Sequence, residues 1–586
     1  MPRNFSLLWL CALLALPAAE AGHGDAGSRA HRARPQPPAV PDCATLASTL
    51  RYPNTVFTTS EEVPSGALKL AGQDIGAHCR LTGRMYERVS PIDGKTYAIG
   101  FEMRLPLAWN GRFYYQANGG LDGNIVPATG NTSGGGPLTS ALLQGFAVIS
   151  SDAGHSAAQN PTFGLDPQAR LDYGYQAVGK LTPMAKYVLR AAYGKGPRYS
   201  YIGGCSNGGR HAMVAASRYA DEYDGYLVGA PGFNLPQAAV ANIYGAQQYA
   251  TVATPGATIP SGPFAGLPDL SSAFTPAERQ LVAGRILARC DALDGLADGI
   301  VHDVQACQRA FDLQRDVPTC EGPRDGTCLS AAQKQALGNV FAGARDRRGR
   351  PIYASFPYDT GIAGNNFAFW EFTAPLALDS GAVGFVFGVP PANPSTFNPA
   401  AFVLNSDIDA LAASIYATND TYTEAAMSFM TMPDPRLRKM RRNGGRMIVY
   451  HGVSDAIFSA HDTIEWFRRL NAPHGHAHRQ PKDEDRHGGA AQAFVRLYLV
   501  PGMAHCSGGA ATDQFDLLTP LVQWVEKGLS PQSVIAQARG AGNPGGVNAE
   551  VPASWAPNRT RPLCPYPKVA HYVGGDVERA ESFVCR

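Results

Sequence analysis

Hydrophobic residues along this chain follow two patterns, one typical of strands and one typical of helices. An alternating pattern predicts a strand with one buried face over residues 96–107, with Tyr97, Ile99, Phe101, Met103 and Leu105 turned inward. Longer mixed runs predict helices over 171–193 and 210–218. Short apolar runs predict further strands at 113–116, 146–150, 199–202, 226–232, 447–452 and 495–500. Strands that alternate with helices indicate an α/β fold.

The alternation stops after Gly232 and resumes near Gly444. The intervening stretch is rich in Gly, Pro and Ala, and it is far longer than an ordinary connection between two elements. Because such insertions at the edge of a sheet carry specificity, we interpret residues 233–443 as a lid domain. Residues 42–232 and 444–586 then form the catalytic domain.

A glycine-rich turn lies between the predicted strand 199–202 and the predicted helix 210–218. The stretch Gly204-Cys205-Ser206-Asn207-Gly208 matches Gly-x-Ser-x-Gly, a strained turn that lifts a serine hydroxyl above the end of a parallel sheet. Ser206 is therefore the candidate nucleophile. The alternative is a plain turn whose serine caps the following helix.

A serine nucleophile needs a histidine to take its proton and a carboxylate to orient that histidine. In hydrolases built on this turn the chain order is serine, acid, histidine. Asp455 follows the predicted strand 447–452, and His505 follows the strand 495–500. Order and position both predict Ser206, Asp455 and His505 as a catalytic triad.

Two backbone N–H groups are predicted to form the oxyanion hole. The residue after the nucleophile, Asn207, supplies one, and a loop after an early strand supplies the other. Asn118-Gly119-Gly120 follows the strand 113–116, so Gly120 is the candidate; the alternative is a plain turn.

Cysteines flank the two reacting residues, since Cys205 precedes Ser206 and Cys506 follows His505. A disulfide needs Cα atoms about 4.4–6.8 Å apart, so a bridge between them would hold nucleophile and base together. This arrangement resembles the tannase and feruloyl esterase family, with a particular likeness to its mono(2-hydroxyethyl) terephthalate hydrolases. The likeness covers residues 40 to 586, and it is carried by four further stretches: 163–172, 290–299, 501–509 and 560–567. It implies an α/β-hydrolase core and a serine esterase.

The same resemblance implies how the cysteines pair. Residues 1–21 are predicted as a signal peptide, and ten of the 11 cysteines lie outside that segment. An even number of cysteines in an exported protein indicates disulfides, although the sequence alone leaves their pairing open. The family implies these pairs: Cys43 with Cys79, Cys205 with Cys506, Cys290 with Cys307, Cys320 with Cys328, and Cys564 with Cys585.

Three carboxylates crowd the stretch 291–300 of the predicted lid. Such crowding repels unless a hard cation neutralises it, and Ca²⁺ binds carboxylate and carbonyl oxygens. By resemblance, Asp291, Asp294 and Asp298 bind a structural calcium through side chains, and Leu296 and Ile300 bind it through carbonyls. The alternative is a set of solvated aspartates in turns.

Composition limits the remaining possibilities. The 586 residues carry a formal net charge of +2, which leaves no basic excess for nucleic acid or a membrane surface. Residues 1–21 have the charge, short apolar run and small-residue site of a signal peptide, and 22–41 are predicted as a flexible linker. We expect a secreted or periplasmic protein, of an oligomeric state that the sequence does not give.

Substrate choice rests on two positions that resemble the family's acyl pocket, His451 and Phe458. Aromatic walls suit a flat aromatic acid, although ordinary packing is the alternative for both. The terephthalate branch grips the free carboxylate with a lid arginine, and 374–388 contains none. We therefore expect feruloyl, galloyl or terephthalate monoesters as substrates. A non-catalytic, calcium-stabilised binding protein on the same fold is the alternative function.

Overall fold

A nine-stranded sheet lies at the centre of the protein. The computed structural model describes residues 42–131, 134–471 and 490–586, all within one compact unit, Val40–Arg586. The predicted signal peptide and linker lie outside the described residues. In chain order the strands are β1 Thr55–Val63, β2 Lys69–Leu70, β3 Gln73–Asp74, β4 His78–Val89, β5 Thr96–Pro106, β6 Arg112–Gln116, β7 Ala147–Ser151, β8 Tyr199–Cys205, β9 Gly225–Gly229, β10 Arg446–Gly452, β11 Val495–Val500, β12 Val534–Gln537, β13 Thr560–Leu563, β14 Ala570–Tyr572 and β15 Phe583–Cys585.

The large sheet has the order β1-β4-β5-β7-β6-β8-β9-β10-β11. Strands β7, β6, β8, β9, β10 and β11 are parallel, whereas β1, β4 and β5 extend the sheet as antiparallel strands. The carboxyl ends of the parallel strands therefore meet at one edge, where ligands bind in open α/β sheets. The α/β fold class predicted from the sequence is confirmed.

Strand β5 differs from its prediction, because most of its residues on both faces are buried. It lies inside the sheet between β4 and β7. The polar residues of its second face, Glu102 and Arg104, are buried as an ion pair with Nε–Oε1 at 2.7 Å. The polar positions of the alternating pattern are therefore buried because their charges are paired, and they are not exposed to solvent as the pattern predicted.

Helices cover both faces of the sheet. The α-helices are α1 Cys43–Thr49, α2 Pro167–Leu171, α3 Ala177–Tyr193, α4 Asn207–Arg218, α5 Leu235–Ala250, α6 Pro276–Cys290, α7 Val304–Ala310, α8 Leu313–Asp316, α9 Ala331–Phe341, α10 Asn365–Ala368, α11 Pro399–Asn405, α12 Ile408–Ser414, α13 Ala426–Phe429, α14 Arg438–Arg442, α15 Ala460–Asn471 and α16 Leu518–Lys527. A π-helical turn, Asp172–Gln176, joins α2 to α3 along the predicted helix. No helix in the described residues is long and apolar enough to cross a membrane.

Residues 233–443, here called the inserted segment, connect β9 to β10 and carry helices α5 to α14. Three π-helical turns, Phe369–Thr373, Pro375–Asp379 and Ala382–Phe387, follow α10. The segment's apolar residues form one hydrophobic cluster with residues 456–458 of the loop after β10 and with Tyr97, Phe163, Ala169 and Tyr173. Its assignment as a lid domain stays a prediction.

One buried arginine fastens the inserted segment to the catalytic core. Arg170 of α2 is 2% exposed, and its guanidinium donates to the carbonyl oxygens of Phe385 at 2.7 Å and Gly388 at 3.3 Å. It also lies over the ring of Tyr422, 4.1 Å from the centroid. Because these acceptors are carbonyls, the contact depends on main-chain geometry in the inserted segment.

The structure forms all five disulfides that the family resemblance implies. Four of them close short loops, with sequence separations of 36, 17, 8 and 21 residues. The bridge between Cys205 and Cys506 spans 301 residues. It alone joins distant parts of the chain.

Candidate active site

Ser206 occupies the sharp turn between β8 and α4. Its φ of 65° and ψ of −129° lie in a region that side-chain-bearing residues rarely adopt. A Cβ built on either Gly204 or Gly208 would lie 2.4 Å from the carbonyl oxygen of Ala117. Both flanking positions therefore require glycine, which explains why Gly-x-Ser-x-Gly folds as this turn.

The disulfide brings the loop after β11 to the nucleophile. Cys205 and Cys506 have Cα atoms 6.0 Å apart, so the residues next to them, Ser206 and His505, belong to one site. Cys506 itself has a φ of 64°, a second strained position in this small region. The two predicted loops are thus joined covalently.

Asp455 and His505 form the acid–base pair expected of a triad. Nδ1 of His505 lies 2.8 Å from Oδ2 of Asp455, while Oδ1 accepts the N–H groups of Ile457 and Phe458, each at 3.0 Å. Burial acts to raise the pKa of Asp455, but the charge of His505 and the hydrogen bonds from both neighbouring histidines lower it more. The carboxylate therefore stays ionised and holds the imidazole by its Nδ1 side.

Across the described residues the Ser206 hydroxyl makes no hydrogen bond. Nε2 of His505, the atom that would take its proton, lies 3.8 Å from the sulfur of Cys506. Serine–histidine contacts are often long in free enzymes and tighten when substrate enters. The roles of the three residues remain a proposal.

Of the two predicted oxyanion donors, Asn207 directly follows Ser206, and Gly120 directly follows Gly119, which approaches the serine. A Cβ built on Gly119 would lie 3.7 Å from the Cβ of Ser206, and Gly120 follows with a φ of +64°. Asn207 is the first residue of α4, where N–H groups have no partner within the helix. The assignment of these two N–H groups to an oxyanion hole stays a prediction.

A buried polar network holds the side chain of Asn207, and sequence reasoning missed it. Its Nδ2 donates to Oδ2 of Asp122 at 2.8 Å, and its Oδ1 accepts Nε of Arg210 at 2.6 Å. Nε2 of His211 lies 2.9 Å from the same Asp122 oxygen. Burial raises the pKa of Asp122 and lowers that of His211. Since every member has a partner, the network fixes the start of α4.

The two predicted substrate contacts are both deeply buried. His451 is 0% exposed, with ring nitrogens 2.9 Å from Oγ1 of Thr463 and 2.9 Å from the carbonyl of Phe458. Its Nε2 lies 3.4 Å from Oδ2 of Asp455, and its role as a substrate contact stays a prediction. Phe458 is 2% exposed and packs edge-on against His505.

Trp370 is a further aromatic residue at the site that the sequence did not single out. It belongs to the inserted segment, and its ring lies 5.2 Å from that of His505 at an angle of 81°. With Phe458 at 5.3 Å, it encloses the imidazole between two aromatic side chains. Only the aromatic-rich run 367–372 pointed to it.

A cleft of about 300 Å³ opens beside the disulfide. Cys506, whose sulfur lies 3.8 Å from Nε2 of His505, lines it, whereas neither Ser206 nor His505 is among its lining residues. The residues that line it are Gln116, Ala117, Asn118, Gly119, Val126, Asn131, Gly134, Gly204, Cys205, Tyr450 and Cys506. Several of them carry amide or hydroxyl groups, unlike the aromatic surroundings of His505.

The acidic loop 291–300 partly suits the predicted calcium. Oδ2 of Asp294 is buried without a hydrogen bond, and burial together with the charges of Asp298 and Asp291 raises the pKa of Asp294 to about 7. Asp298, however, forms an ion pair with Arg561. Over 42–131, 134–471 and 490–586, no three acidic, histidine or cysteine side chains are grouped to hold a metal ion.

The remaining oxygens of that loop accept its own N–H groups. Oδ1 of Asp294 accepts from Leu296 at 3.1 Å, and Oδ1 of Asp298 accepts from Ile300 at 3.1 Å. Asp291 accepts from Asp298 and Gly299. The orphaned oxygen of Asp294 is thus the observation that fits a cation.

Known proteins are similar to this chain in sequence and in fold. A family model described as tannase and feruloyl esterase matches residues 79–586. A mono(2-hydroxyethyl) terephthalate hydrolase of Piscinibacter sakaiensis is 37% identical over 543 residues, covering 87% of this chain and 84% of the relative. A probable feruloyl esterase B-2 of Aspergillus fumigatus is 26% identical, covering 91% and 93%.

Two solved structures share the fold. Feruloyl esterase B from Aspergillus oryzae superimposes with a TM-score of 0.71 at 22% identity, over 93% of this chain and 99% of that one. A tannin acyl hydrolase from Aspergillus niger gives 0.65 at 20% identity, over 94% and 96%. These agreements establish an α/β-hydrolase fold.

Proposed function

Because the chain belongs to the tannase and feruloyl esterase family and is a carboxylic ester hydrolase, we propose that it cleaves esters of aromatic carboxylic acids with Ser206 as nucleophile. One observation supports this proposal above the others: a disulfide joins the turn of the strained serine to the loop of a histidine that a buried carboxylate already orients. A binding protein without turnover would not need this arrangement.

The chemistry follows from these positions. His505 takes the proton of Ser206 as the hydroxyl attacks the ester carbonyl, and Asp455 stabilises the imidazolium that forms. The N–H groups of Gly120 and Asn207 receive the negative oxygen. His505 then gives its proton to the departing alcohol, and water releases the acid from the acyl-enzyme by the same steps.

The surroundings of His505 suggest how an ester lies in the site. Trp370 packs against the imidazole and is partly exposed, so its ring suits a flat aromatic acyl group, with the buried Phe458 packed against the same imidazole. The cleft is more polar, and it is lined by Cys205 and Cys506, the residues next to Ser206 and His505. We therefore place the acid part against the aromatic rings and the alcohol part in the cleft.

The names of the relatives give the candidate acids. One relative acts on mono(2-hydroxyethyl) terephthalate and others are named feruloyl esterases and tannin acyl hydrolase. The run 374–388 has no arginine to pair with a terephthalate carboxylate, and most of it is buried. Feruloyl, galloyl and terephthalate monoesters therefore stand as equal candidates.

Hydrolysis of methyl ferulate, methyl gallate and mono(2-hydroxyethyl) terephthalate tests this proposal directly. We expect turnover of at least one ester, followed by release of its acid, and its loss in Ser206→Ala. A wild-type protein that binds these esters but cleaves none would instead favour the binding-protein alternative. Ser507→Ala, next to the disulfide but outside the triad, is the matched control.

We also propose that the loop 291–300 binds a structural Ca²⁺ near Asp294. The buried, unpartnered Oδ2 of Asp294 would bind the ion, whose charge offsets the repulsion from Asp291 and Asp298. Chelation should lower Tm in the wild type but not in Asp294→Asn. An identical Tm with chelator and with excess Ca²⁺ would contradict the site.

Export is the remaining proposal. Five disulfides support an oxidising compartment. Expression of the full chain with sequencing of the mature N-terminus tests it, and we expect cleavage after Ala21 and recovery outside the cytoplasm.

A further inference from the structure

One buried carboxylate of the inserted segment contacts both loops that carry the acid–base pair. Asp359 is 3% exposed, and its Oδ2 accepts the hydroxyl of Ser454 at 2.8 Å and the N–H of Gly502 at 2.9 Å. Ser454 directly precedes Asp455 in the loop after β10. Gly502 opens the loop after β11, three residues before His505. A single oxygen atom therefore bridges the two loops.

Neighbouring contacts reinforce this connection. The Ser454 hydroxyl also accepts the N–H of Gly361 at 3.0 Å, and the Ser454 N–H donates to the carbonyl of Met503 at 3.0 Å. Oδ1 of Asn366 accepts the N–H of His505 itself, at 3.4 Å. The stretch 359–366 of the inserted segment thus reaches the acid loop and the histidine loop together.

The second oxygen of Asp359 takes no part in these contacts. Oδ1 is buried and has no hydrogen bond among the described residues. The carboxyl also lines a small cavity together with Glu371, Ser454 and Asp455. Removing the carboxyl would leave the buried donors on Ser454 and Gly502 unpaired, and an unpaired buried donor is costly unless its loop moves to find another acceptor.

We propose that Asp359 is a positioning residue, which sets the separation of Asp455 and His505 from outside the catalytic core. This inference rests on the proposed esterase function and adds a second role to the inserted segment, beside its contact with substrate. In this arrangement the inserted segment cannot shift without moving both catalytic loops. Asp359 has no recorded contact with Ser206, Trp370 or Phe458, so its effect should fall on the chemical step and not on substrate binding.

Asp359→Ala, Asp359→Asn and Asp379→Ala test this role. Asp359→Ala removes the bridging acceptor, and a displacement near 1 Å lowers kcat by about 10²-fold with KM little changed. Asp359→Asn keeps an acceptor oxygen in place and should retain kcat within about threefold of wild type. Asp379 is equally buried in the inserted segment but accepts from Asn242, so Asp379→Ala controls for general loss of packing.

Two measurements separate positioning from stability. The first is kcat and KM on an activated aryl ester, per folded molecule. The second is the rate at which a small alkylphosphonate fluoride labels Ser206, which needs the histidine but no substrate pocket. Ser454→Ala removes one of the two hydrogen bonds to Asp359, together with the acceptor of the Gly361 N–H, and it should lower both rates by about 3- to 10-fold even if Asp359→Ala fails to fold.

Each result decides between distinct conclusions. Unchanged kcat and labelling in Asp359→Ala or Ser454→Ala would overturn the positioning role, and so would an equal loss in Asp379→Ala. A loss in Asp359→Asn as large as in Asp359→Ala would also overturn it, because the acceptor oxygen would then be irrelevant. A wild-type protein inert toward both ester and phosphonate would overturn the esterase assignment itself.

Discussion

Removing the bridge between Cys205 and Cys506 should affect catalysis beyond its effect on stability. We consider Cys205→Ser with Cys506→Ser, compared with Cys564→Ser and Cys585→Ser. The first bridge closes 301 residues and the second 21, which in the chain-entropy model correspond to about 6 and about 3 kcal/mol of stabilisation. Both losses are large beside the net stability of a typical domain, about 5–15 kcal/mol.

The two bridges differ more in what they hold than in what they stabilise. Without the first, the turn carrying Ser206 and the loop carrying His505 remain joined only by non-covalent contacts. A separation larger by about 1 Å lowers kcat by about 10²-fold. Loss of the bridge between Cys564 and Cys585 leaves this geometry intact, so kcat per folded molecule should stay within about threefold of wild type.

The assay combines urea unfolding, followed by tryptophan fluorescence, with initial rates on an activated aryl ester. Rates are normalised to the folded fraction of each variant under the assay conditions. If the variant lacking the first bridge kept wild-type kcat per folded molecule, the disulfide would be a stabilising element alone. Equal losses in both variants would show that any missing bridge impairs the site.

Two further perturbations have definite expected outcomes. Gly204→Ala places a Cβ 2.4 Å from the carbonyl oxygen of Ala117, so the turn must shift and kcat should fall at least about 10²-fold. The control is Gly284→Ala, in a helix with open space around the position, which should leave kcat unchanged and leave stability unchanged or raise it by about 0.5–1 kcal/mol. Glu371 has its pKa raised by burial to about 8. The folded state therefore holds its proton longer than the unfolded chain, and stability falls as pH rises from about 4.5 to about 8, at up to about 1.4 kcal/mol per pH unit. Urea unfolding between pH 5 and 8 should show this slope flattened in Glu371→Gln but not in the exposed control Glu62→Gln; parallel curves for all three proteins would contradict it.

Local signals in the sequence predicted the elements that position the chemistry. These are the Gly-x-Ser-x-Gly turn, the strands that end before Asp455 and His505, and the two cysteines next to Ser206 and His505. Each is a short motif with a physical reason to lie at the end of a strand. These features depend on residues close together in the chain.

The features that the sequence did not reveal depend on distant partners. Strands β1 and β4 pair far from the site, and nothing in their own pattern identifies the neighbour. Trp370 and Asp359 become part of the site only because the inserted segment folds back onto the loops after β10 and β11. The buried contact between His451 and Asp455 was not predicted either, because a histidine at a strand end fits a substrate wall and a buried partner of Asp455 equally well in sequence.

The contact between Arg170 and the carbonyls of Phe385 and Gly388 bears on which changes the inserted segment can accept. Because the guanidinium contacts peptide oxygens, it does not read the side chain of Phe385, whereas a Cβ on Gly388 would lie 2.8 Å from the carbonyl oxygen of Val383. Side chains of 374–388 can therefore change without loss of this attachment, as long as Gly388 and the local backbone are kept. Chimeras that exchange 374–388 between related esterases while retaining Arg170 and Gly388 would test whether this stretch contributes to substrate choice.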